Sequence, residues 1–300
     1  MVQVPYEILN PNFSLKPVRA LIFDLDDTLY FIPSGAQFLR YGEHLSQFLP
    51  ESQKETYLKE LKRSAENGSP LKVGRAYDPE TNWILEFDDH WGIQNAYELN
   101  GVQIPIETMR KHYSEGMNMD LFPNLIHLSS GWGIPSAVGK MFGLTREHFR
   151  SAYLATREDM VNHPEEFPLV VPADIQSFFK NCHEQGYLLM VMTNSGLGEA
   201  EDVLTRIGID SYFCSIYPEA RKPNHSFKIF QEIAQKNNLD YSNFLVIGDS
   251  VYNDLRQAKS LDAQTVLMER FPDQPLGMVD VRVWDMEGFI QLWEKLSSQS

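Results

Sequence analysis

Four stretches of the chain are apolar with little interruption: Arg19 to Leu25, Tyr187 to Met192, Phe244 to Ile247 and Gln264 to Leu267. Runs of this length that do not alternate with polar residues suit strands buried on both faces of a parallel sheet. A helix-like segment stands before each of the last three, at Asp174 to Gln185, Ser226 to Lys236 and Asn253 to Ser260. Strands alternating with helices predict βα units, with helices on both faces of the sheet. Cys214 to Tyr217 reads as a further short strand, and Val281 to Trp284 as a last edge strand ahead of a closing helix at Glu287 to Leu296.

The rhythm stops between Phe31 and about Phe167. That interval opens helical from Ala36 to Ala65, divided by Pro50, and turns irregular at Asn67-Gly-Ser-Pro. Trp83 to Phe87 and Ile93 to Leu99 flank a polar turn, Asp88-Asp89-His90-Trp91-Gly92, and predict a hairpin that Asn100-Gly101 closes. Helical patterns return at Ile106 to Met117 and at Thr145 to Asn162, where Thr145 is placed to cap. The expected division is therefore a core made of residues 18–30 and 168–300, an inserted and mainly helical domain over 31–167, and an N-terminal arm over 1–17.

Composition narrows the function. Among 300 residues, 41 acidic against 26 basic side chains give a net charge of −15. That balance lacks the Lys/Arg footprint with which a general nucleic-acid binder displaces counterions. With 43% hydrophobic residues the chain can bury a sizeable core. No basic-then-apolar leader and no apolar run of about 18 residues occurs, so a soluble, cytoplasmic protein without membrane contact is the expectation. Two cysteines, Cys182 and Cys214, are too few for a disulfide scaffold or a four-thiolate zinc site, and read as buried thiols in a reducing compartment. Six of the eight histidines lie in the interval, none in a zinc pattern.

The chemistry gathers at the ends of the predicted strands, where open parallel sheets bind ligands. Phe23-Asp24-Leu25-Asp26-Asp27-Thr28-Leu29 crowds three carboxylates at the end of the first strand. Such crowding disfavours joint ionisation unless a cation lies between the carboxylates, and oxygen-only ligands suit magnesium. Thr193-Asn194-Ser195-Gly196 follows the second strand and offers donors to an anion. Lys222-Pro223 follows the short third strand with a fixed positive charge. Gly248-Asp249-Ser250, with Asp254 five residues past Asp249, returns carboxylates at the next strand end. Together the four segments describe a site for magnesium and one phosphoryl group.

In that order they resemble the four motifs of the haloacid dehalogenase-like hydrolase superfamily. Asp24-x-Asp26-x-Thr28 is similar to the first motif, Thr193 to the second, Lys222 to the third, and Gly248-Asp249-x-x-x-x-Asp254 to the fourth. The resemblance covers the core, roughly half of the chain. It implies a three-layer, Rossmann-like α/β fold with Asp24 as nucleophile and Asp26 as general acid and base. It further implies Mg2+ held by Asp24, Asp249 and the main-chain carbonyl of Asp26, with Asp254 orienting that shell. Thr193, Asn194 and Lys222 would bind the phosphoryl oxygens, and the insertion would be a mobile cap.

An acid at position 26 implies a phosphatase or phosphomutase, because the dehalogenase members lack an acid there and the ion pumps carry threonine. The leading expectation is a magnesium-dependent phosphomonoesterase for a small phosphorylated metabolite. A phosphomutase or phosphotransferase, a phosphoprotein phosphatase and a binding module on a retired hydrolase fold are the competing readings. Asp27-Thr28-Leu29-Tyr30 with Ser34-Gly35 also resembles the start of pyrimidine nucleotidase-like members, over about a dozen residues. In the insert, Trp132, between Gly131 and Gly133, is a candidate to face substrate, against the simpler reading that it packs the insert's own core.

Overall fold

The structure is a computed structural model, and it describes residues 5–66, 68–114 and 116–298. Of the segments singled out above, Met1–Val4 of the N-terminal arm, Asn67 and the last two residues lie outside the described residues, as does the side chain of Ser34. The chain divides into two compact units. The first comprises Met1–Phe31, Leu169–Pro272 and Met278–Ser300, and the second Ile32–Pro168 with Asp273–Gly277.

Along the chain, β1 (Tyr6–Ile8) and β2 (Ala20–Phe23) belong to the first unit. The second unit follows with α1 (Ala36–Ser46), α2 (Glu51–Ala65), β3 (Ala76–Asp78), β4 (Trp83–Phe87), β5 (Ile93–Tyr97), α3 (Ile106–His112), β6 (Ile126–His127), α4 (Gly133–Met141) and α5 (Arg146–Asn162). The first unit resumes with α6 (Ile175–Glu184), β7 (Leu188–Met192), α7 (Leu197–Ile207), β8 (Ser215–Tyr217), α8 (Ser226–Asn237) and β9 (Phe244–Gly248). A π-helical turn over Val251–Leu255 leads into α9 (Arg256–Lys259), followed by β10 (Gln264–Met268), β11 (Val281–Val283) and α10 (Met286–Ser297).

In the first unit the strands form one sheet in the order β1-β11-β10-β9-β2-β7-β8, parallel throughout except for β1 on β11. Its central strands are buried because they are apolar on both faces. Ala20 pairs in register with Phe244, and Phe244 meets the Phe230 ring of α8 at 6.3 Å. Phe23 points to the opposite face by alternation. There it lies 5.2 Å from Phe179 of α6 and 6.0 Å from Phe289 of α10. Helices thus cover both faces, as three layers require.

Three expectations need correction here. Val281–Val283 is not the edge strand, because Tyr6–Ile8 of the N-terminal arm pairs outside it. The predicted helix at Asn253 to Ser260 starts earlier, as a π-helical turn at Val251. Cys214 is exposed, with its thiol donating to the Leu189 carbonyl at 3.2 Å, whereas Cys182 is buried; both thiols are free.

The second unit is mainly helical with a four-stranded antiparallel sheet, β5-β4-β3-β6. Tyr41, Leu45, Tyr57, Leu61, Tyr77 and Leu128 are among the side chains that fill its core. The hairpin of β4 and β5 turns at Trp91, which has a left-handed φ of 63°. Thr145 caps α5, with His148 Nδ1 accepting the Thr145 N–H at 3.3 Å. Against the expectation that all of 168–300 belongs to the core, Asp273–Gly277 packs into this second unit. Gly74 (φ 96°) makes room for it, since a Cβ there would come within 2.6 Å of the Asp273 carbonyl oxygen. Leu276 N–H donates to Asp89 at 2.6 Å, and Lys72 pairs with Asp273 at 3.2 Å.

Candidate active site

Register brings the functional residues of the first unit to one edge of its sheet. Phe23 pairs with Val191 on one side and Ile247 on the other, so Asp24, Thr193 and Asp249 all fall just past the same end. Asp24 N–H donates to the Ile247 carbonyl at 2.8 Å, which continues the ladder to Asp24. The chain then leaves the strand abruptly: Asp27 adopts a left-handed φ of 56°, which Asp tolerates better than most residues.

Asp24, Asp249 and Asp254 each offer a carboxylate oxygen, all within 4.8 Å of one another. Gly248 permits this, because a Cβ on it would sit 2.4 Å from Asp254 Oδ2. Ser250 N–H donates to that same oxygen at 3.1 Å and holds the carboxylate in place. Lys222 Nζ lies 2.5 Å from Asp24 Oδ1 and 2.6 Å from Asp254 Oδ1, with all three side chains largely buried. The loop that delivers Lys222 is tied to the one carrying Thr193. Ala220 N–H donates to the Thr193 carbonyl and Glu219 N–H to that of Ser195, both at 2.9 Å. Lys222 N–H donates to Asn194 Oδ1 at 2.7 Å. Thr193 is buried and accepts the Ser195 N–H at 3.1 Å, whereas Asn194 is exposed.

The electrostatics are those of an excess of buried negative charge. Burial pushes the Asp24 carboxyl up to about 7, and the charges of Asp254 and Asp26 add to the rise against the pull of Lys222. Burial, followed by Asp24 and Asp254, likewise lifts Asp249 well above the carboxylate range. Burial also works against the Lys222 ammonium, but Asp24 and Asp254 outweigh it and hold the pKa above that of an ordinary lysine. Three carboxylates against one ammonium, all oxygen donors, fit a hard divalent cation such as Mg2+.

Asp26 is arranged differently. Its carboxylate does not join the cluster: Tyr30 Oη donates to Oδ1, and Ser195 Oγ donates to Oδ2 at 2.9 Å. A metal contact from this residue would have to come from its main chain, as the resemblance implies. Nothing in the local sequence pattern marks Tyr30 and Ser195 as the residues that hold Asp26. The signal available was a hydroxyl four residues downstream and a second hydroxyl at the neighbouring strand end.

Trp132 lies in the second unit. Its indole is partly buried and packs edge-on against Phe38 (5.4 Å), Tyr41 (5.5 Å) and Tyr153 (5.2 Å), beside that unit's core.

Comparison with known proteins agrees with this picture. The model of the haloacid dehalogenase-like hydrolase family matches residues 136–268, which include Thr193, Lys222, Asp249 and Asp254. No curated protein matches. A haloacid dehalogenase-type phosphatase from Thermococcus onnurineus is 16% identical, with a TM-score of 0.48 over 92% of this chain and 98% of its own. A hydrolase of the same type from Bacillus subtilis, solved with magnesium bound, is 17% identical, with a TM-score of 0.47 over 93% of this chain and 99% of its own. Likeness this remote transfers no function. Three of the four motifs fall inside the family match, and the fourth stands at the adjoining strand end in register with them. Residues 136–268 are thus similar to the haloacid dehalogenase-like hydrolases, and Asp24 and Asp26 lie outside the matched segment.

Proposed function

We propose that the chain is a magnesium-dependent phosphomonoesterase for small phosphorylated metabolites, working through a phosphoryl group carried on Asp24. The observation that supports it most is the placing of Lys222 Nζ between Asp24 and Asp254 beside a third carboxylate, Asp249. Asp24 and Asp249 would hold Mg2+ together with the Asp26 main-chain carbonyl, and Asp254 would fix Lys222 and the shell. A bound Mg2+ would neutralise the carboxylates and polarise the phosphoryl oxygens.

On this reading an Asp24 oxygen attacks phosphorus while the ester P–O bond breaks, and Asp26 gives its proton to the departing oxygen. Asp26 then takes a proton from water as the water oxygen bonds to phosphorus and the Asp24–phosphorus bond breaks. The balance is ester plus water to alcohol plus phosphate. Thr193, Asn194 and the Lys222 ammonium would hold the non-bridging oxygens. Tyr30 and Ser195 keep the Asp26 carboxylate oriented through both of its oxygens.

The test is phosphate release from nucleotides, sugar phosphates, phosphorylated acids and phosphopeptides, with and without Mg2+. Release from small esters that chelation abolishes supports the proposal. Activity that survives chelation, or that is confined to phosphopeptides, contradicts it. Transfer of the phosphoryl group to a second hydroxyl, in place of release, would make the enzyme a mutase or transferase.

A further inference from the structure

We propose that Arg270 is a second anion-binding group of this site, one that favours phosphate esters whose leaving group carries a further oxyanion. The inference rests on the phosphomonoesterase reading and narrows its substrate class. Arg270 stands two residues beyond β10, at the carboxyl end of the strand beside β9, the strand whose own end leads to Asp249. Its N–H donates to the Met268 carbonyl at 2.8 Å, so the chain turns sharply there. The guanidinium carbon lies 3.8 Å from the centre of the Phe31 ring. Phe31 is itself fixed by two backbone hydrogen bonds with Val170, at 3.1 and 2.9 Å.

Stacking occupies the face of the guanidinium and leaves its N–H edge, a planar fork that matches a carboxylate or phosphate. Among the described residues that edge makes neither a hydrogen bond nor an ion pair, and the stack on Phe31 is its direct contact. Lys222, by contrast, is already engaged by two carboxylates. Asp24, Asp26, Asp27, Asp249 and Asp254 gather at this end of the sheet, and the Arg270 charge is felt by Asp27. A substrate with two anionic groups entering so acidic a site needs a cation for each, and Mg2+ with Lys222 serves only the phosphoryl group. Arg270 is a pre-oriented cation for the second.

The experiment compares three matched esters: propyl phosphate, 3-phosphonooxypropanoate and propane-1,3-diol bisphosphate. The wild-type enzyme is expected to prefer the two doubly anionic esters in kcat/KM. The carboxylate and bisphosphate arms distinguish which oxyanion the fork takes. Arg270→Ala should reduce that preference by about ten- to a hundredfold, the range for a charge-assisted contact. Arg270→Lys, which keeps charge without the fork, should retain part of it and serves as the folded comparator if the alanine variant is unstable. Loss by the same factor on all three esters, or a wild-type enzyme that prefers propyl phosphate, overturns the assignment of Arg270 alone. Failure of the wild-type enzyme to release phosphate from any ester with Mg2+ overturns the phosphomonoesterase reading itself.

Discussion

Replacing Asp24 by Asn is expected to abolish turnover and, unusually for a buried substitution, to stabilise the metal-free protein at neutral and alkaline pH. The Asp24 carboxyl moves from an ordinary value of 3.8 up to about 7 on folding, mainly because it is buried. A carboxyl with a folded value above its unfolded one binds more protons folded than unfolded between those pH values. Stability contributed by this group is therefore present below about pH 4 and falls as pH rises towards about 7. At about 1.4 kcal/mol per tenfold, the full excursion is roughly 4 kcal/mol, an upper bound because Asp249 and Lys222 share the titration. Asn at this position mimics the neutral acid and never incurs that penalty. The assay is urea unfolding of wild type and Asp24→Asn in EDTA at pH 5 and pH 8. The variant should be more stable by about 2–4 kcal/mol at pH 8, with a markedly smaller difference at pH 5. Added Mg2+ should stabilise wild type more than the variant and narrow the gap at pH 8. A variant less stable than wild type at pH 8 in EDTA, or a difference independent of pH, would refute the reasoning.

Asp26→Asn should lower kcat by about a hundred- to ten-thousandfold, the usual share of general acid–base catalysis, with the fold intact by circular dichroism. Tyr30→Phe removes one hydrogen bond to Asp26, and steady-state kinetics should show kcat falling by about tenfold with little change in KM, since the loss is of orientation and not of substrate contact. A change confined to KM would contradict that role. Gly248→Ala puts a Cβ against Asp254, and thermal melting should show a loss on the order of 1–3 kcal/mol together with weakened Mg2+ stabilisation.

Much of the site was legible because the strands that carry it are apolar on both faces. Ala20 to Phe23, Leu188 to Met192 and Phe244 to Gly248 announce themselves without alternation, so Asp24, Thr193 and Asp249 stood out as the polar residues that follow. Lys222 was placed by order alone. That its ammonium bridges Asp24 and Asp254 depends on a fold that brings together residues 198 positions apart, which no local pattern encodes. Short elements left no period to read: β1 is Tyr-Glu-Ile, largely exposed, and β6 has only two residues. Asp273-Gln-Pro-Leu-Gly277 reads as a polar loop, and its place in the second unit depends on the room made at Gly74 and a hydrogen bond from Leu276 to Asp89. Trp132 shows the converse, since its aromatic partners Phe38, Tyr41 and Tyr153 lie far from it in sequence or a helix away.

The central claim is that Asp24 itself carries the phosphoryl group. It is tested by quenching the Mg2+-loaded enzyme during turnover of a small ester, reducing acyl phosphates with borohydride and mapping the peptides. The account predicts homoserine in place of aspartate at position 24, dependent on substrate and Mg2+ and absent from Asp24→Asn. Reduction at another residue, or sustained phosphate release with position 24 unmodified throughout, would contradict it.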